Sequence, residues 1–286
     1  MNGLDFCSDK LSIPRCLLKS KVQRMGLKLT KEKRGEIIRL NKPTKPLTEY
    51  SVEPTQFYAA NTPEVAYILG LLWADGYVLH KSKNGKLRNR VSITNQIEDF
   101  DIFSNILNKV GKWNITYRKQ KNRKEQGTAE ISNRPLVEFL MLNDYTSKST
   151  ASACKILSTI PNHLKCYWFR GLFDGDGCIY FNPSGLHINV TISSSHDQNW
   201  KYVENLFSDM LHDSHYTIKR TVRGNGNGYS KIEITKRSTI LNFLNYIYQN
   251  YDNDKIGLPR KYEKYLKVIE REKHCALKKS KKPMTV

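Results

Sequence analysis

The sequence predicts an α+β fold built from two pseudo-symmetric αββαββα units behind a small N-terminal extension that is helix-turn-helix-like. Three observations carry this expectation. A short apolar helix ending in Asp-Gly occurs twice, with Gly70 and Gly171, Ala74 and Gly175, Asp75 and Asp176, and Gly76 and Gly177 each 101 residues apart. The same order of strand-like and helix-like segments follows each copy. Turn residues such as Asn84-Gly85 and the glycine cluster at 224–228 mark loops between the strands. A period near 100 residues is too long for a solenoid and marks a duplicated domain.

The extension and linker occupy residues 1–57. Residues 9–40 are basic, with apolar positions at helical spacing and Gly26 as a C-cap, which suits two short helices. Pro43, Pro46 and Pro54 then mark an extended linker. The first unit covers 58–158. Its helix starts at Thr62-Pro63-Glu64, which supplies a cap, a first-turn proline and an acidic first turn. Val65-Ala66-Tyr67-Ile68-Leu69-Gly70-Leu71-Leu72-Trp73 is apolar on nearly every side, so the helix is expected to be buried all round. Strands are expected near 77–82, 89–94, 114–120 and 127–132, with helices near 99–110 and 134–142. The second unit covers 159–270 and is entered at Pro161. Its strands are expected near 178–182, 186–193, 215–223 and 229–235, with helices near 197–211 and 237–249. Residues 271–286 form a basic tail, in which His274 to Lys282 are expected to be disordered and phosphate-seeking.

Composition narrows the function. The chain has 286 residues and a net charge of +20, from 47 Lys and Arg against 27 Asp and Glu. Residues 1–60 hold 12 basic and 6 acidic residues, 61–160 hold 15 and 9, and 161–286 hold 20 and 12, so the excess is distributed. A fold positive throughout fits a polyanionic partner, nucleic acid first. No apolar run approaches the ~18 residues of a membrane span. Residues 1–10 lack the apolar core of a secretory signal. The six cysteines form no C-x-x-C pair, which argues against a zinc ribbon and for reduced thiols in an intracellular protein.

The repeated helix is also where chemistry is expected. Gly70 and Ala74, like Gly171 and Gly175, are four apart and share a helix face. Such faces let two helix backbones approach closely. Packed face to face about a pseudo-two-fold axis, the helices would bring Asp75 and Asp176 together at their ends. Two carboxylates at a buried seam repel each other unless a cation joins them. In a protein that faces phosphates, a hard divalent ion, Mg²⁺ or Mn²⁺, fits an all-oxygen site and could activate water for phosphodiester hydrolysis.

The strands supply a surface. In 86–93, Lys86, Arg88, Arg90 and Ser92 share the face opposite Leu87, Val91 and Ile93. His187, Asn189 and Thr191 oppose Ile188, Val190 and Ile192. Thr116, Arg118 and Gln120 form a third row, and Lys219, Thr221 and Arg223 a fourth. Rows mixing Arg, Asn, Gln and Thr suit base edges in the major groove, and lysines suit phosphates.

The segments Leu69-Gly70-Leu71-Leu72-Trp73-Ala74-Asp75-Gly76 and Phe169-Arg170-Gly171-Leu172-Phe173-Asp174-Gly175-Asp176-Gly177 resemble the LAGLIDADG motif of homing endonucleases, in the two-motif single-chain form. The resemblance spans about residues 58–270. It implies a monomer with an internal two-fold, and a saddle of antiparallel sheets over a long asymmetric double-stranded DNA target. It also implies metal-dependent cleavage of both strands across the minor groove. By the same resemblance Asp75 and Asp176 are the metal ligands, and the carbonyls of Ala74 and Gly175 supplement them. Lys148 and Lys261 stand where the family has a catalytic lysine, and Asn95 and Ser194 where it has polar water-network residues. The earlier acidic position is Asp174 in the second copy and Trp73 in the first. An intron-encoded homing endonuclease is the expected activity. An intron RNA maturase, with RNA as partner, or a DNA-binding regulator is the alternative on the same scaffold.

Overall fold

The computed structural model describes residues 57–58, 60–83, 86–119, 124–182, 187–213, 215–222 and 228–280. All of them belong to the compact unit Ser51–Val286. The expected helix-turn-helix over 9–40 and the proline linker lie outside the described residues.

The first motif helix, α1 (Pro63–Asp75), begins as its sequence dictates. Thr62 Oγ1 accepts from Val65 N at 3.3 Å, and Pro63 occupies a position where a missing N–H costs nothing. The chain passes without a loop into β1 (Gly76–Lys83) and continues through β2 (Lys86–Gln96), α2 (Ile97–Lys109), β3 (Asn114–Arg118), β4 (Gln126–Ile131) and α3 (Arg134–Leu142). A connecting helix, α4 (Cys154–Thr159), leads to the second motif helix, α5 (Lys165–Asp176). The second unit follows with β5 (Gly177–Phe181), β6 (Ile188–Ser194), α6 (Lys201–Asn205), β7 (Thr217–Val222), β8 (Gly228–Ile234) and α7 (Arg237–Tyr248). A one-turn α8 (Tyr251–Asp254) and a long α9 (Pro259–Ser280) complete it.

Each unit holds one four-stranded antiparallel sheet, ordered β1-β2-β4-β3 and β5-β6-β8-β7. Gly76 pairs with Ile93, and Gly177 with Ile192, so the repeat persists in the register. Val91, Ile93, Ala129 and Ile131 are buried on one face of the first sheet, as are Val190, Ile192, Ile232 and Ile234 in the second. The opposite faces stay open.

The seam between α1 and α5 is the most extensive contact of the molecule. A Cβ added at Gly70 would stand 1.9 Å from the Trp168 carbonyl oxygen, and one at Gly171 would stand 2.0 Å from that of Tyr67. These are mirror contacts, because Tyr67 and Trp168 are themselves 101 residues apart. The flanking pair is mirrored in place but not in chemistry. Trp73 packs on Trp168 with ring centroids 6.3 Å apart, whereas Tyr67 Oη donates to Asp174 Oδ2 at 2.8 Å.

Two expectations need correction. The helix expected over 197–211 is α-helical only at Lys201–Asn205 and continues as a π turn, Leu206–Met210. That wider turn accompanies burial of the consecutive Leu206 and Phe207, with Phe207 stacked on Tyr216 at 4.7 Å. The basic tail is not disordered from His274, since α9 runs to Ser280. Aromatic anchoring explains this: Tyr262 stacks on Tyr251 at 4.0 Å, Tyr265 stacks on Tyr248 at 5.2 Å, Val268 is buried, and Arg237 pairs with Glu272.

Because the seam glycines oppose backbone rather than pliable side chains, substitution there cannot be absorbed locally. Gly171→Ala is expected to lower unfolding stability by about 1–3 kcal/mol or more, read as a shift of the urea midpoint. Leu142→Ala, at an exposed site, is expected to leave it within about 0.5 kcal/mol.

Candidate functional site

The carboxylates of Asp75 and Asp176 close the two motif helices at the point where helix becomes strand. The turn is tight. A Cβ at Gly76 would meet the Leu72 carbonyl oxygen at 2.4 Å, and one at Gly177 would meet the Phe173 ring at 2.1 Å. Glycine after each aspartate is therefore a steric requirement. The two ends adjoin, since a Cβ at Gly175 would stand 2.4 Å from Ala74 Cβ and 3.0 Å from Asp75 Oδ2.

Burial governs the electrostatics here. It pushes Asp176 up to about 7, helped by the charge of Asp75 and opposed by Lys148 and Lys261. Asp75 is also raised by burial, with Lys148, Lys261 and a hydrogen bond from Asn95 working against the shift. Asn95 Nδ2 donates to Asp75 Oδ2 at 2.9 Å. No hydrogen bond to the Asp176 carboxylate is found among the described residues. Ser194, at the strand position equivalent to Asn95, accepts from His196 N at 3.2 Å and so serves a local turn.

Lys148 and Lys261 both reach the site, from different supports. Lys148 lies in the turn after α3 and donates to the carbonyls of Leu72, Ala74 and Gly76 at 3.3, 2.9 and 2.8 Å. Lys261 lies in the first turn of α9. It donates to Phe173, Asp174 and Gly177 at 2.6, 2.7 and 2.8 Å. Each ammonium thus adds donors at a helix end, where the Leu72 and Phe173 carbonyls also accept the backbone N–H of Gly76 and Gly177. Burial brings both lysines down to about 8, against the pull of the neighbouring aspartates. The Ala74 carbonyl is engaged by Lys148, and no hydrogen bond to that of Gly175 is found among the described residues.

The lysines are 113 residues apart, twelve more than the repeat. Those extra residues form the α8 turn, held by a buried network. Arg170, fully buried, donates to the carbonyls of Ile247, Gln249 and Ile256 and pairs with Asp254 at 3.2 Å. Asp174 Oδ2 accepts from Leu258 N at 2.8 Å, and Gly257 at φ +128° permits that approach. Asp174 therefore supports the loop that delivers Lys261, while Trp73 fills its mirror position.

Two half-buried carboxylates with adjacent carbonyls form an oxygen-donor set that suits a hard divalent cation. The mutual repulsion that raises Asp176 is what such a cation would relieve. No group of three or more His, Cys, Asp or Glu able to hold a metal is found among the described residues, so the remaining ligands would be water and substrate oxygens.

The open sheet faces flank this point. Cross-strand partners share a face, so register assigns the rows. Arg88, Arg90 and Ser92 lie opposite Lys81, Leu79 and Tyr77, and Thr116 and Arg118 lie opposite Thr128 and Gln126. Asn189 and Thr191 lie opposite Tyr180 and Cys178, and Lys219 and Thr221 lie opposite Lys231 and Tyr229. His187 precedes β6 with the same parity, and Lys86 belongs to β2. Gln120 and Arg223 lie outside the described residues. Sequence reasoning misses the rows of β4 and β8, including Glu130, Lys231 and Glu233. The alternation of Gln126-Gly127-Thr128-Ala129-Glu130-Ile131 is the signal that could have found them. Exposed Tyr77, Tyr117 and Tyr180 add aromatic surface to the strands.

Residues 164–248 match the family model described as LAGLIDADG-like domain. The chain carries the LAGLIDADG fold. Its structure resembles that of the homing endonuclease I-WcaI bound to its DNA recognition sequence, with TM-score 0.50 and 13% identity over 80% of this chain and 96% of that one. The LAGLIDADG homing endonuclease I-GzeII in complex with DNA target superposes with TM-score 0.46, 13% identity, and coverage of 77% and 93%. In sequence, the chain is 28% identical over 127 residues to uncharacterized protein MJ0398 of Methanocaldococcus jannaschii. That alignment takes in 44% of this chain and 42% of the relative, so the chain spans less than half the relative's length.

The raised Asp176 carboxyl gives the metal-free protein a pH signature. In the folded state this group holds its proton up to about pH 7, against 3.8 unfolded, so its contribution favours folding fully below about pH 4. The contribution is lost as pH rises through 7. With chelator present, the melting temperature of Asp176→Asn minus that of the parent is expected to widen from pH 4 to pH 8.

Proposed function

We propose that this chain is a site-specific double-strand DNA endonuclease of the homing type. The reading rests on one observation above all, the meeting of Asp75 and Asp176 at the end of a glycine-mediated helix seam, between two open and largely basic sheet faces. A surface without chemistry would not need two half-buried, mutually repelling carboxylates at its centre. The homing endonuclease whose structure this fold resembles holds DNA, and the positive charge distributed through the chain fits the same partner.

Asp75 and Asp176 would hold the divalent ion, Mg²⁺ or Mn²⁺, with the carbonyls of Ala74 and Gly175 beside them. When bound, the ion would supply an activated water and charge neutralisation at the scissile phosphodiester. Asn95 fixes the rotamer of Asp75 through Oδ2. Lys148 and Lys261 hold the helix-end carbonyls and set two ammonium charges beside the carboxylates. Burial lowers both to about 8 against the pull of the aspartates, and three carbonyl acceptors apiece favour the ammonium form. The strand rows at Arg88, Arg90, Ser92, Arg118, Asn189, Thr191, Lys219 and Thr221 read base edges and phosphates in the major groove. Cleavage then falls across the intervening minor groove at the seam. Intron mobility is the expected setting, with the chain acting as a monomer on a long asymmetric site.

The deciding experiment selects cleaved sites from a randomised duplex library in Mg²⁺, with Ca²⁺ as control. A single family of long sites cut on both strands is the expected result. Cleavage of nothing, together with stimulation of RNA splicing, would sink the endonuclease reading in favour of a maturase. On the selected site, Asp75→Asn and Asp176→Asn are each expected to reduce cleavage by on the order of 100-fold or more. Both variants should still bind DNA, with log affinity falling linearly in log salt.

A further inference from the structure

The strands of both sheets contain two acidic residues among the described residues, Glu130 in β4 and Glu233 in β8. They occupy the same place. Glu130 lies opposite Ser92 and Asn114, and Glu233 lies opposite Thr191 and Thr217. Val91 pairs with Ile131 as Val190 pairs with Ile234, so the two glutamates are related by the repeat. Both project from the open faces, whose other charged residues are Arg and Lys. A carboxylate facing a polyanion is repelled, so its presence once per half, at one register position, calls for a physical reason.

The contacts supply one. Glu233 Oε1 accepts from Asn189 Nδ2 at 3.0 Å and from Lys231 Nζ at 3.2 Å, and Oε2 pairs with Lys219. Hydrogen bonds from Lys219 and Asn189 bring its carboxyl down to about 2, so it is ionised at any working pH. Glu130 Oε2 pairs with Arg90 at 3.1 Å. Over it lies an open depression of about 490 Å³, lined in part by Arg88, Arg90, Ser132 and Arg134. Arg90 Nε and Asn189 Oδ1 find no partner among the described residues, so neither cluster is completed by protein alone.

A lysine side chain is free to choose among many rotamers, and an unrestrained one contacts phosphate without reading sequence. An ammonium that gives one N–H to Glu233 keeps two, now fixed in direction. The same holds for an arginine fork pinned at one end. Ordered donors of this kind match the two acceptors, O6 and N7, of guanine in the major groove. We propose that Glu130 and Glu233 are specificity-positioning residues. Each organises donors, Arg90 in one half and Lys219 and Lys231 in the other, so that they read guanine, while Asn189 Oδ1 is left to accept from N4–H of the paired cytosine. The target therefore carries a G·C pair at equivalent distances on either side of the pseudo-two-fold axis.

This inference rests on the DNA-binding reading above, and its test separates the two. Sites bound by the full chain are selected from a randomised duplex library in Ca²⁺, so that the readout is binding and not cleavage. The parent is expected to enrich guanine at mirror positions in the two half-sites. Glu233→Gln is expected to lower discrimination at its own position by on the order of ten-fold. The opposite half should be unaltered, and affinity for non-specific DNA should hold or rise because a repelling charge is gone. Glu130→Gln is expected to do the same in the other half, so the inference stays testable if either variant folds poorly. A selective parent whose profile is unchanged by both variants would overturn the inference while leaving DNA reading intact. It is overturned equally if both variants, while melting as the parent does, flatten both halves and weaken non-specific binding together. A parent that selects no sequence at all would overturn the DNA reading, and this inference with it.

Discussion

The approach of two helix backbones at Gly70 and Gly171 is the constraint on which the molecule depends. Each glycine faces the other helix's carbonyl, with no room for a methyl group. That contact sets the distance between the halves, and the distance sets whether two aspartates at the helix ends share one locus. It also explains why both helices are apolar on nearly all sides. Once α1 and α5 are sunk into each other, their remaining surfaces must meet the two sheets, so polar groups gather at their ends, with the buried Arg170 of α5 and its partners as the exception.

What the seam brings together would be unfavourable without the lysines. Helix C-termini carry partial negative charge, and here two of them adjoin two carboxylates. Lys148 and Lys261 answer both problems with one ammonium each, covering three carbonyls apiece. Their depressed proton affinity follows from that burial. Structural capping and chemical readiness are here properties of the same buried nitrogen.

Much of this is legible in the sequence, for particular reasons. The spacing of Gly70, Ala74, Asp75 and Gly76 against Gly171, Gly175, Asp176 and Gly177 is a local pattern, and local patterns survive in one dimension. Strand alternation likewise locates the open faces, because side-chain parity is fixed by backbone geometry. The Arg170 and Asp174 network is not legible, since its partners at Asp254, Ile256 and Leu258 are about 84 residues away and belong to a loop without a mirror. The long α9 is obscured because its anchoring tyrosines are diluted among charges, so composition points to a solvated tail. Glu130 and Glu233 are hidden in plain alternation, because one acid among strand residues gives no sign of the cross-strand cations that hold it.

The unequal routes of the two lysines limit how the halves can be recombined. A duplicate of the first half would bring its own cation, because Lys148 follows directly on α3. A duplicate of the second half truncated at the end of α7 would not. It would also need the insertion over 249–260 and the Arg170 side chain that anchors it, or the grafted helix would end in bare carbonyls pressed against an acid. Ancestral symmetry in this chain is therefore a property of its seam and sheets, and the later divergence is written in how each side supplies its counter-charge.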